Sequence, residues 1–188
     1  MQTPYHCTCF ECHAKEVAML FNYMFKRGTV TRLTNENVYE QSLIVPVHGG
    51  YLQDSVLIWN PKGKDYCAFV SNCTDGFNAF VHYLNHHRHI NATGYSALND
   101  KDYPFYHFFR YELDGLRRYV RTMKDDPRWE FYQKGEPFEF EDVSRCSRRL
   151  KRERLDRDMV IEYMRQMGYD LEDPLFYETD ECYLVEGV

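Results

Sequence analysis

The segment from residue 106 to residue 168 limits what this chain can fold into more than any other part of the sequence. Two runs of β-forming residues, 106–113 and 116–123, flank the dipeptide Asp114-Gly115. Asp-Gly between such runs is a strong signal for a two-stranded hairpin, because glycine accepts the left-handed backbone that a tight turn requires. The sequence therefore predicts an antiparallel pair of strands here.

A second alternating pattern follows along the chain. Large apolar and polar residues alternate in 129–132 and again in 138–141, and Lys134-Gly135 can supply a turn between them. Alternation of this kind places the apolar side chains on one face of a strand and the polar ones on the other. The pattern predicts a second hairpin that has one aromatic face and one face in water.

The chain then becomes basic and helical from Arg145 to Gly168. Asp156 can cap a helix and Gly168 can end it. Between them, apolar residues recur at helical spacing, namely Met159, Val160, Tyr163, Met164 and Met167. We expect this last helix to pack its apolar face on the hairpin sheet.

The first hundred residues predict further strands and helices of ordinary length. Their patterns indicate a helix over 12–27 that ends in the basic segment 26–28, strands at 29–33, 51–59 and 65–71, a turn at 60–64, a helix starting at Thr74 or Asp75, and a loop over 91–104. The whole pattern predicts an α+β fold, an antiparallel sheet built from hairpins with three to four helices packed on it. We expect a single domain over residues 1–188 with an acidic tail at 170–188.

Charge and composition exclude several classes of protein. The 188 residues include 23 Lys and Arg against 29 Asp and Glu, a net charge of −6, which argues against non-specific affinity for nucleic acid. No apolar run approaches the roughly 18–20 residues of a membrane span, and the N-terminus lacks an export signal. Seven cysteines are an odd number, which favours free thiols over a disulfide framework. We expect a cytoplasmic protein without membrane contact.

The densest group of potential metal ligands lies near the N-terminus and comprises His6, Cys7, Cys9, Cys12 and His13. Zinc binds thiolate and imidazole, so a zinc-binding enzyme or module is one alternative function. Structural zinc sites usually have two separated ligand pairs, whereas this cluster is tight and no second cluster follows it. The spacing favours buried thiols, and we expect neither a metal nor another cofactor.

Signatures of catalysis are missing from the sequence. His82 and His86 share one face of a predicted helix, but Tyr83 stands where a zinc protease has glutamate. Cys73 lies near a predicted helix N-terminus, where a thiolate would be stabilised, but no partner residue is identified by spacing. The glycine-rich phosphate loops and the serine nucleophile motif are also absent. We therefore expect that the protein is not an enzyme.

Charge is distributed unevenly toward the C-terminus. Residues 145–157 contain seven basic residues, whereas residues 170–188 contain acidic residues and no Lys or Arg. One interpretation is that these two segments pair with each other. In another, a helical face contacts phosphate and the chain binds nucleic acid, an alternative that the net acidity disfavours. That face would carry Arg145, Arg148, Arg149 and Arg152.

Three consecutive segments, 129–141, 148–155 and 156–171, carry a likeness to known proteins. Their aromatic hairpin pattern, basic run and amphipathic helix resemble those of small bacterial immunity-type proteins, which accompany polymorphic or secretion-system toxins. Cys146 departs from that pattern, because such proteins tend to have an aromatic residue before the arginine pair. The likeness covers about a quarter of the chain.

The resemblance implies a cytoplasmic inhibitor that binds a cognate toxin or effector domain and occludes its active site or substrate groove. Many nuclease-like toxins are basic because they bind phosphate, and an acidic inhibitor associates with them quickly. We therefore expect a basic partner protein. The acidic tail is the predicted contact, through Asp173, Phe176, Tyr177, Glu178, Asp180 and Glu181, with the two aromatic residues as anchors.

Overall fold

Nine strands and four α-helices are present in the computed structural model, which describes residues 2–25, 29–34, 37–43, 55–73 and 75–187. The strands are β1 His6–Phe10, β2 Thr29–Leu33, β3 Ser55–Trp59, β4 Cys67–Ser71, β5 Ala92–Leu98, β6 Phe105–Glu112, β7 Gly115–Asp125, β8 Arg128–Lys134 and β9 Cys182–Glu186. The helices are α1 Ala14–Phe25, α2 Tyr39–Ser42, α3 Asn78–Arg88 and α4 Arg157–Gln166, with 3₁₀ helices at Val143–Ser147, Lys151–Glu153 and Pro174–Tyr177. The α+β prediction is confirmed.

All nine strands belong to one antiparallel sheet, in the order β2-β9-β3-β4-β1-β5-β6-β7-β8. Four neighbouring pairs are also consecutive in the chain: β3–β4, β5–β6, β6–β7 and β7–β8. Two strands from distant parts of the chain, β1 and β9, are inserted between others. Within the described residues β2 and β8 form the two edges of the sheet.

Helices cover both faces of the sheet. Side chains alternate between the faces along each strand, so in β1 Phe10 lies toward α1 and α3, whereas Cys7 and Cys9 lie on the opposite side. We call these sides the α1/α3 face and the α4 face. Phe21 of α1 and Phe80 of α3 meet with ring centroids 4.9 Å apart, which joins the two helices above the sheet.

Helix α4 forms as its sequence predicts. The side chain of Asp156 accepts a hydrogen bond from the amide of Met159 (3.0 Å), and Gly168 follows the helix with a positive φ of 92°. The helix lies on β5 and β6, where Tyr163 contacts Phe108 with ring centroids 5.4 Å apart. The predicted packing of this helix on the hairpin sheet is confirmed.

The hairpin of β6 and β7 is also confirmed, with a small shift. Its turn comprises residues 113–114, one residue earlier than predicted, and Gly115 follows with a φ of 109°. A register shift beside Arg110 then brings His107 opposite Arg121. This shift fixes which side chains of the two strands are neighbours on each face.

The predicted second hairpin is wrong. Strand β8 pairs with β7, and residues 138–141 turn instead of forming a strand. The cause is a buried ion pair in which Nε of Arg118 donates to Oε1 of Glu141 (2.8 Å). Arg118 also donates to the carbonyl of Gly135 (2.9 Å). Because Glu141 must reach into the sheet to neutralise Arg118, the segment folds over the sheet and cannot extend along it.

The predicted loop over 91–104 is also wrong, because it contains β5, a central strand between β1 and β6. Its small residues are there for packing. A Cβ atom on Gly94 would lie only 2.4 Å from the ring of Phe109 on the next strand. Ala92 and Thr93 are fully buried. Small residues that favour turns in isolation are needed in this strand because they leave space for large side chains on neighbouring strands.

The two charged segments near the C-terminus differ from prediction as well. The basic segment 145–157 is not one helix, since it forms short 3₁₀ helices before α4 starts at Arg157, so its arginines do not share a helical face. The acidic segment is not a tail, because β9 lies inside the sheet between β2 and β3. Nor do the two segments pair with each other in the described residues, and Arg145 instead contacts Asp156 at 3.0 Å.

The remaining boundaries differ from prediction by a few residues. The first helix spans Ala14–Phe25, the strands span Thr29–Leu33, Ser55–Trp59 and Cys67–Ser71, and the second long helix starts at Asn78. Asp75 does not cap that helix directly, although it accepts a hydrogen bond from the amide of Phe77 (2.9 Å) just before it. The predicted helix end at 26–28, the strand residues 51–54 and Thr74 lie outside the described residues.

Candidate functional site

Polar side chains form a row across the strands on the α1/α3 face. His6 of β1 pairs with Ser96 of β5, Ser96 with His107 of β6, His107 with Arg121 of β7, and Arg121 with Tyr132 of β8. His6, Ser96 and His107 are each at most 3% exposed. Burying polar groups among aromatic side chains costs stability unless each finds a partner. The buried groups of this polar row therefore need hydrogen-bond partners.

The polar row leads into a cleft of about 380 Å³ on the same face, which we call the His107 cleft. Its volume falls in the range of small-molecule sites, roughly 300–1,000 Å³. The N-terminal end of α3 contributes one side of it. The lining includes Tyr5, Asp75, Asn78, Ser96, Tyr103, Phe105, His107, Tyr119, Arg121 and Lys124.

Three aromatic rings hold the imidazole of His107. It is stacked on Tyr119 (centroids 5.5 Å apart, planes at 19°) and on Phe109 (5.3 Å, 26°), and it meets the edge of Phe105 at 5.2 Å. Among the described residues neither ring nitrogen has a hydrogen-bond partner. An unsatisfied buried polar group costs about 1–3 kcal/mol. The ring is thus fixed in place, and both of its nitrogens are buried without a hydrogen bond among the described residues.

Both histidines of the row are neutral at neutral pH. Burial lowers the pKa of His107 from the ordinary 6.5 to about 3, and the nearby His6 and Arg121 add to the effect. Burial also lowers the pKa of His6 to about 4, against a smaller opposing effect of Asp75. The amide of Ser71 donates to Nε2 of His6 (3.1 Å), so that nitrogen is the acceptor and the proton is on Nδ1.

Arg121 brings positive charge to the cleft. Its Nη2 lies 3.9 Å from Oε2 of Glu130, at the limit of an ion pair, and its buried Nε has no partner among the described residues. The side chain is about a third exposed. Arg121 is therefore positioned between the buried end of the polar row and solvent.

A second surface lies along the open edge of the sheet at β8. Tyr132 is 49% exposed on one side of this edge, and on the other side the guanidinium carbon of Arg154 lies 5.1 Å from the ring centre of Phe131. The 3₁₀ helix that contains Arg152 contacts β8. We call this region the β8 edge surface and define it by Phe131, Tyr132 and the exposed segment 148–152.

Four exposed cationic side chains of the β8 edge surface lack an ion pair among the described residues. Arg148, Arg149, Lys151 and Arg152 are exposed, and in the described part of the protein none forms an ion pair with a carboxylate. Leu150, 45% exposed, adds an apolar contact among them. Tyr and Arg are the residue types that most often dominate binding energy at interfaces.

The predicted aromatic anchors are not accessible. Phe176 is 4% exposed and Tyr177 is fully buried. Both residues contact Trp59 in the core instead. The Nε1 group of Trp59 donates a hydrogen bond to the backbone carbonyl of Phe176 (2.9 Å), and the indole ring of Trp59 stacks on the ring of Tyr177. The structure does not present these two side chains to a partner, because both complete the α4 face.

The four carboxylates predicted with them lie outside the core, but internal contacts engage three of them. Asp173 accepts from the amide of Leu175 (2.9 Å) and starts a 3₁₀ helix. The other contacts are ion pairs to basic residues of the same chain, Asp180 with Lys62 (3.6 Å) and Glu181 with Arg32. Glu178 is half-buried and forms a β-bridge with Asn37.

The structure separates the N-terminal ligand cluster. Since residues 6–10 form a strand, His6 faces α1 and α3 while Cys7 and Cys9 point to the other side of the sheet and are fully buried. No group of three or more potential ligands within the described ranges could hold a metal ion. All seven cysteines are described, and none is in a disulfide.

The remaining sequence candidates have structural partners. Nε2 of His82 is 2.7 Å from the hydroxyl of Tyr111, so it links α3 to β6. The thiol of Cys73 donates to a carboxylate oxygen of Asp75 at 3.1 Å. These contacts account for both residues within the fold.

Sequence patterns did not single out His107, Arg121 or Ser96. A useful signal was present, because His107 occupies an inward position in an alternating aromatic strand. The residue opposite His107 could not be predicted by counting back from the hairpin turn, because the register shift beside Arg110 changes the pairing of the two strands. Ser96 was missed because it lies in the segment that was predicted to be a loop.

Comparison of the sequence and the structure with known proteins identified no related protein. No family model, no curated protein and no solved structure matches this chain. In the described part of the chain, no helix combines the length and the apolar character needed to cross a bilayer.

Proposed function

We propose that this chain is a cytoplasmic binding protein without catalytic activity, an immunity-type inhibitor that blocks the active site or substrate groove of a toxin domain. The observation that carries the proposal is the β8 edge surface. There, an open strand edge carries exposed Tyr132 and contacts the 3₁₀ helix Lys151–Glu153, and the exposed segment 148–152 carries Leu150 and four cations that form no ion pair within the described residues.

Protonation states of the buried groups favour binding over catalysis. An imidazole whose pKa is near 3 or 4 accepts a proton too weakly to act as a general base at neutral pH. Burial also raises the pKa of the Cys9 and Cys67 thiols, which makes them poor nucleophiles. These four buried groups are therefore poorly suited to act as a general base or a nucleophile at neutral pH.

Charge complementarity defines the partner. The β8 edge surface is basic, so the matching surface of the toxin is acidic, in contrast to the basic partner expected from the net charge of −6. Free backbone groups along β8 can pair with an added strand, and the exposed side chains on both sides of that strand supply specificity.

The test uses the protein encoded by the adjacent upstream gene as the partner. Complex formation is measured by calorimetry and inhibition by the growth of cells that produce that protein. The variant Arg149→Glu/Arg152→Glu should slow association by about tenfold or more. The matched control, Asp173→Lys/Asp180→Lys, changes as many charges on the predicted tail contact and should bind normally.

Each outcome has a clear meaning. Loss of binding only in the arginine variant supports the β8 edge surface, whereas loss only in the aspartate variant returns the contact to the acidic segment. If the wild-type chain neither binds nor protects, the immunity-type proposal is wrong.

Nucleic-acid binding is a second candidate, because the same four cations could contact phosphate groups beside Phe131 and Tyr132. Fluorescence anisotropy with single-stranded and duplex oligonucleotides tests it. Four phosphate contacts predict that the logarithm of the affinity falls with the logarithm of salt with a slope of about 3–4. Absence of binding at physiological salt excludes this candidate.

A further inference from the structure

The His107 cleft has the features of a binding site for a small molecule, independently of any partner at β8. His107 is 3% exposed, lines the cleft and has no hydrogen-bond partner for either ring nitrogen among the described residues. The buried Nε of Arg121, on the neighbouring strand, is also without a partner there. Two buried polar groups on adjacent strands, both without partners and both in residues that line the cleft, indicate that a bound molecule completes their hydrogen bonds.

The aromatic lining of the cleft favours a flat ring. Tyr5, Tyr103, Phe105 and Tyr119 contribute aromatic surface, and Leu98 and Met123 contribute aliphatic surface. Aromatic side chains bind planar heterocycles by stacking and edge contacts. A strongly hydrated ligand would leave this surface without a matching contact.

The polar groups select among flat rings. A neutral imidazole has one nitrogen that donates and one that accepts, and burial keeps His107 neutral at neutral pH. Asp75, Asn78 and Ser96 also line the cleft and offer further acceptors and donors. A ring whose edge carries both donors and acceptors satisfies such a set, and a purely hydrocarbon ring does not.

We propose that the His107 cleft binds a nucleobase-bearing small molecule, a nucleoside or a nucleotide, with the base against the aromatic residues and its polar edge at His107. Arg121 and Lys124 line the same cleft and can contact a phosphate group. Asp75 and Asp125 bring negative charge to it and can accept from the ribose hydroxyls.

Binding is tested with the full chain by calorimetry and by ¹⁵N NMR of its histidine side chains. The probes are adenosine, guanosine, cytidine and uridine, each with its 5′-monophosphate. At least one probe should bind with one molecule per chain and should shift the ring nitrogens of His107. Tighter binding of the monophosphate than of the nucleoside assigns the phosphate to Arg121 and Lys124, and equal binding assigns the site to nucleosides.

Two substitutions separate recognition from folding. His107→Phe keeps an aromatic ring of similar size but removes both nitrogens, and it should weaken binding at least about tenfold. The control His87→Phe changes an exposed histidine on α3 outside the cleft and should bind like the wild type. Since the NMR shift is measured on the unmodified chain, the test does not depend on the stability of the variant.

The proposal is overturned if no nucleoside or nucleotide binds at millimolar concentration, or if His107→Phe folds and binds as well as the wild type. Neither result bears on the partner proposed for the β8 edge surface, which is measured with different variants and a different probe.

Discussion

Acid should destabilise this protein largely through two buried imidazoles. The folded-state pKa values of His6 and His107, about 4 and about 3, are far below the ordinary 6.5. The unfolded chain therefore binds more protons than the folded chain once the pH falls below about 6.5. Stability from this source is complete above that pH and is lost progressively as the pH approaches the folded-state values.

The expected loss is large. Lowering the pH from about 7 to about 5 should cost about 2 kcal/mol for each histidine, about 4 kcal/mol for both, because each pH unit crossed is worth about 1.4 kcal/mol per proton. Both side chains are buried, so solvent does not screen the effect. A typical domain is stable by only about 5–15 kcal/mol, so acid alone removes a large share.

Urea unfolding followed by tryptophan fluorescence at several pH values measures this slope. His107→Phe removes one of the two imidazoles that take up a proton on unfolding. The stability of this variant should therefore depend on pH less steeply than that of the wild type, by about 1.4 kcal/mol per pH unit near pH 5. The control His87→Phe changes an exposed side chain and should keep the wild-type slope. Carboxylates contribute equally to all three proteins and cancel in the comparison. An unchanged slope in His107→Phe would refute the reasoning.

Three further substitutions test the packing, each by urea unfolding at neutral pH. Arg118→Met leaves the buried carboxylate of Glu141 without its cationic partner and should cost about 3–5 kcal/mol, most of which Arg118→Met/Glu141→Leu should recover; equal stability of the single variant and the wild type would contradict the ion-pair argument. Gly94→Ala places a Cβ 2.4 Å from the Phe109 ring and should cost about 1–3 kcal/mol, whereas a neutral result would mean that the ring can move. Asp156→Ala removes the cap of α4 and should cost about 1 kcal/mol, but Asp156→Asn should cost less.

Local chemistry in the sequence was sufficient for the elements whose signals are short-range. The Asp-Gly hairpin and helix α4 follow from a turn residue, a cap and a periodic apolar face, all of which act within a few residues. The fold class could therefore be predicted. Strand β5 could not, because Gly94 and its small neighbours are selected by Phe109 on another strand, and tertiary packing overrides their preference for turns.

The candidate site depends on the same long-range information. The ion pair of Arg118 with Glu141 prevents residues 138–141 from forming the predicted strand. The register of β6 and β7 places His107 opposite Arg121. The charge pattern was misleading for Phe176 and Tyr177, because the acidic segment was expected to be exposed whereas the structure buries its two aromatic residues. A run of like charges in the sequence does not reveal whether the neighbouring apolar side chains are exposed, because their exposure depends on where the segment lies in the fold.

The position of β9 has a consequence for how the chain is made. Ribosomes release β2 early, yet within the described residues its only strand neighbour is β9, which ends at Glu186. Until then β2 has no partner and β3 has one open side, so a growing chain exposes backbone groups that can pair with the wrong strand. Closing the sheet also requires β2 to pair with β9, which lies far from it in the sequence, and such long-range pairing slows folding. We expect newly made chains to depend on chaperones during this interval more than the finished protein does.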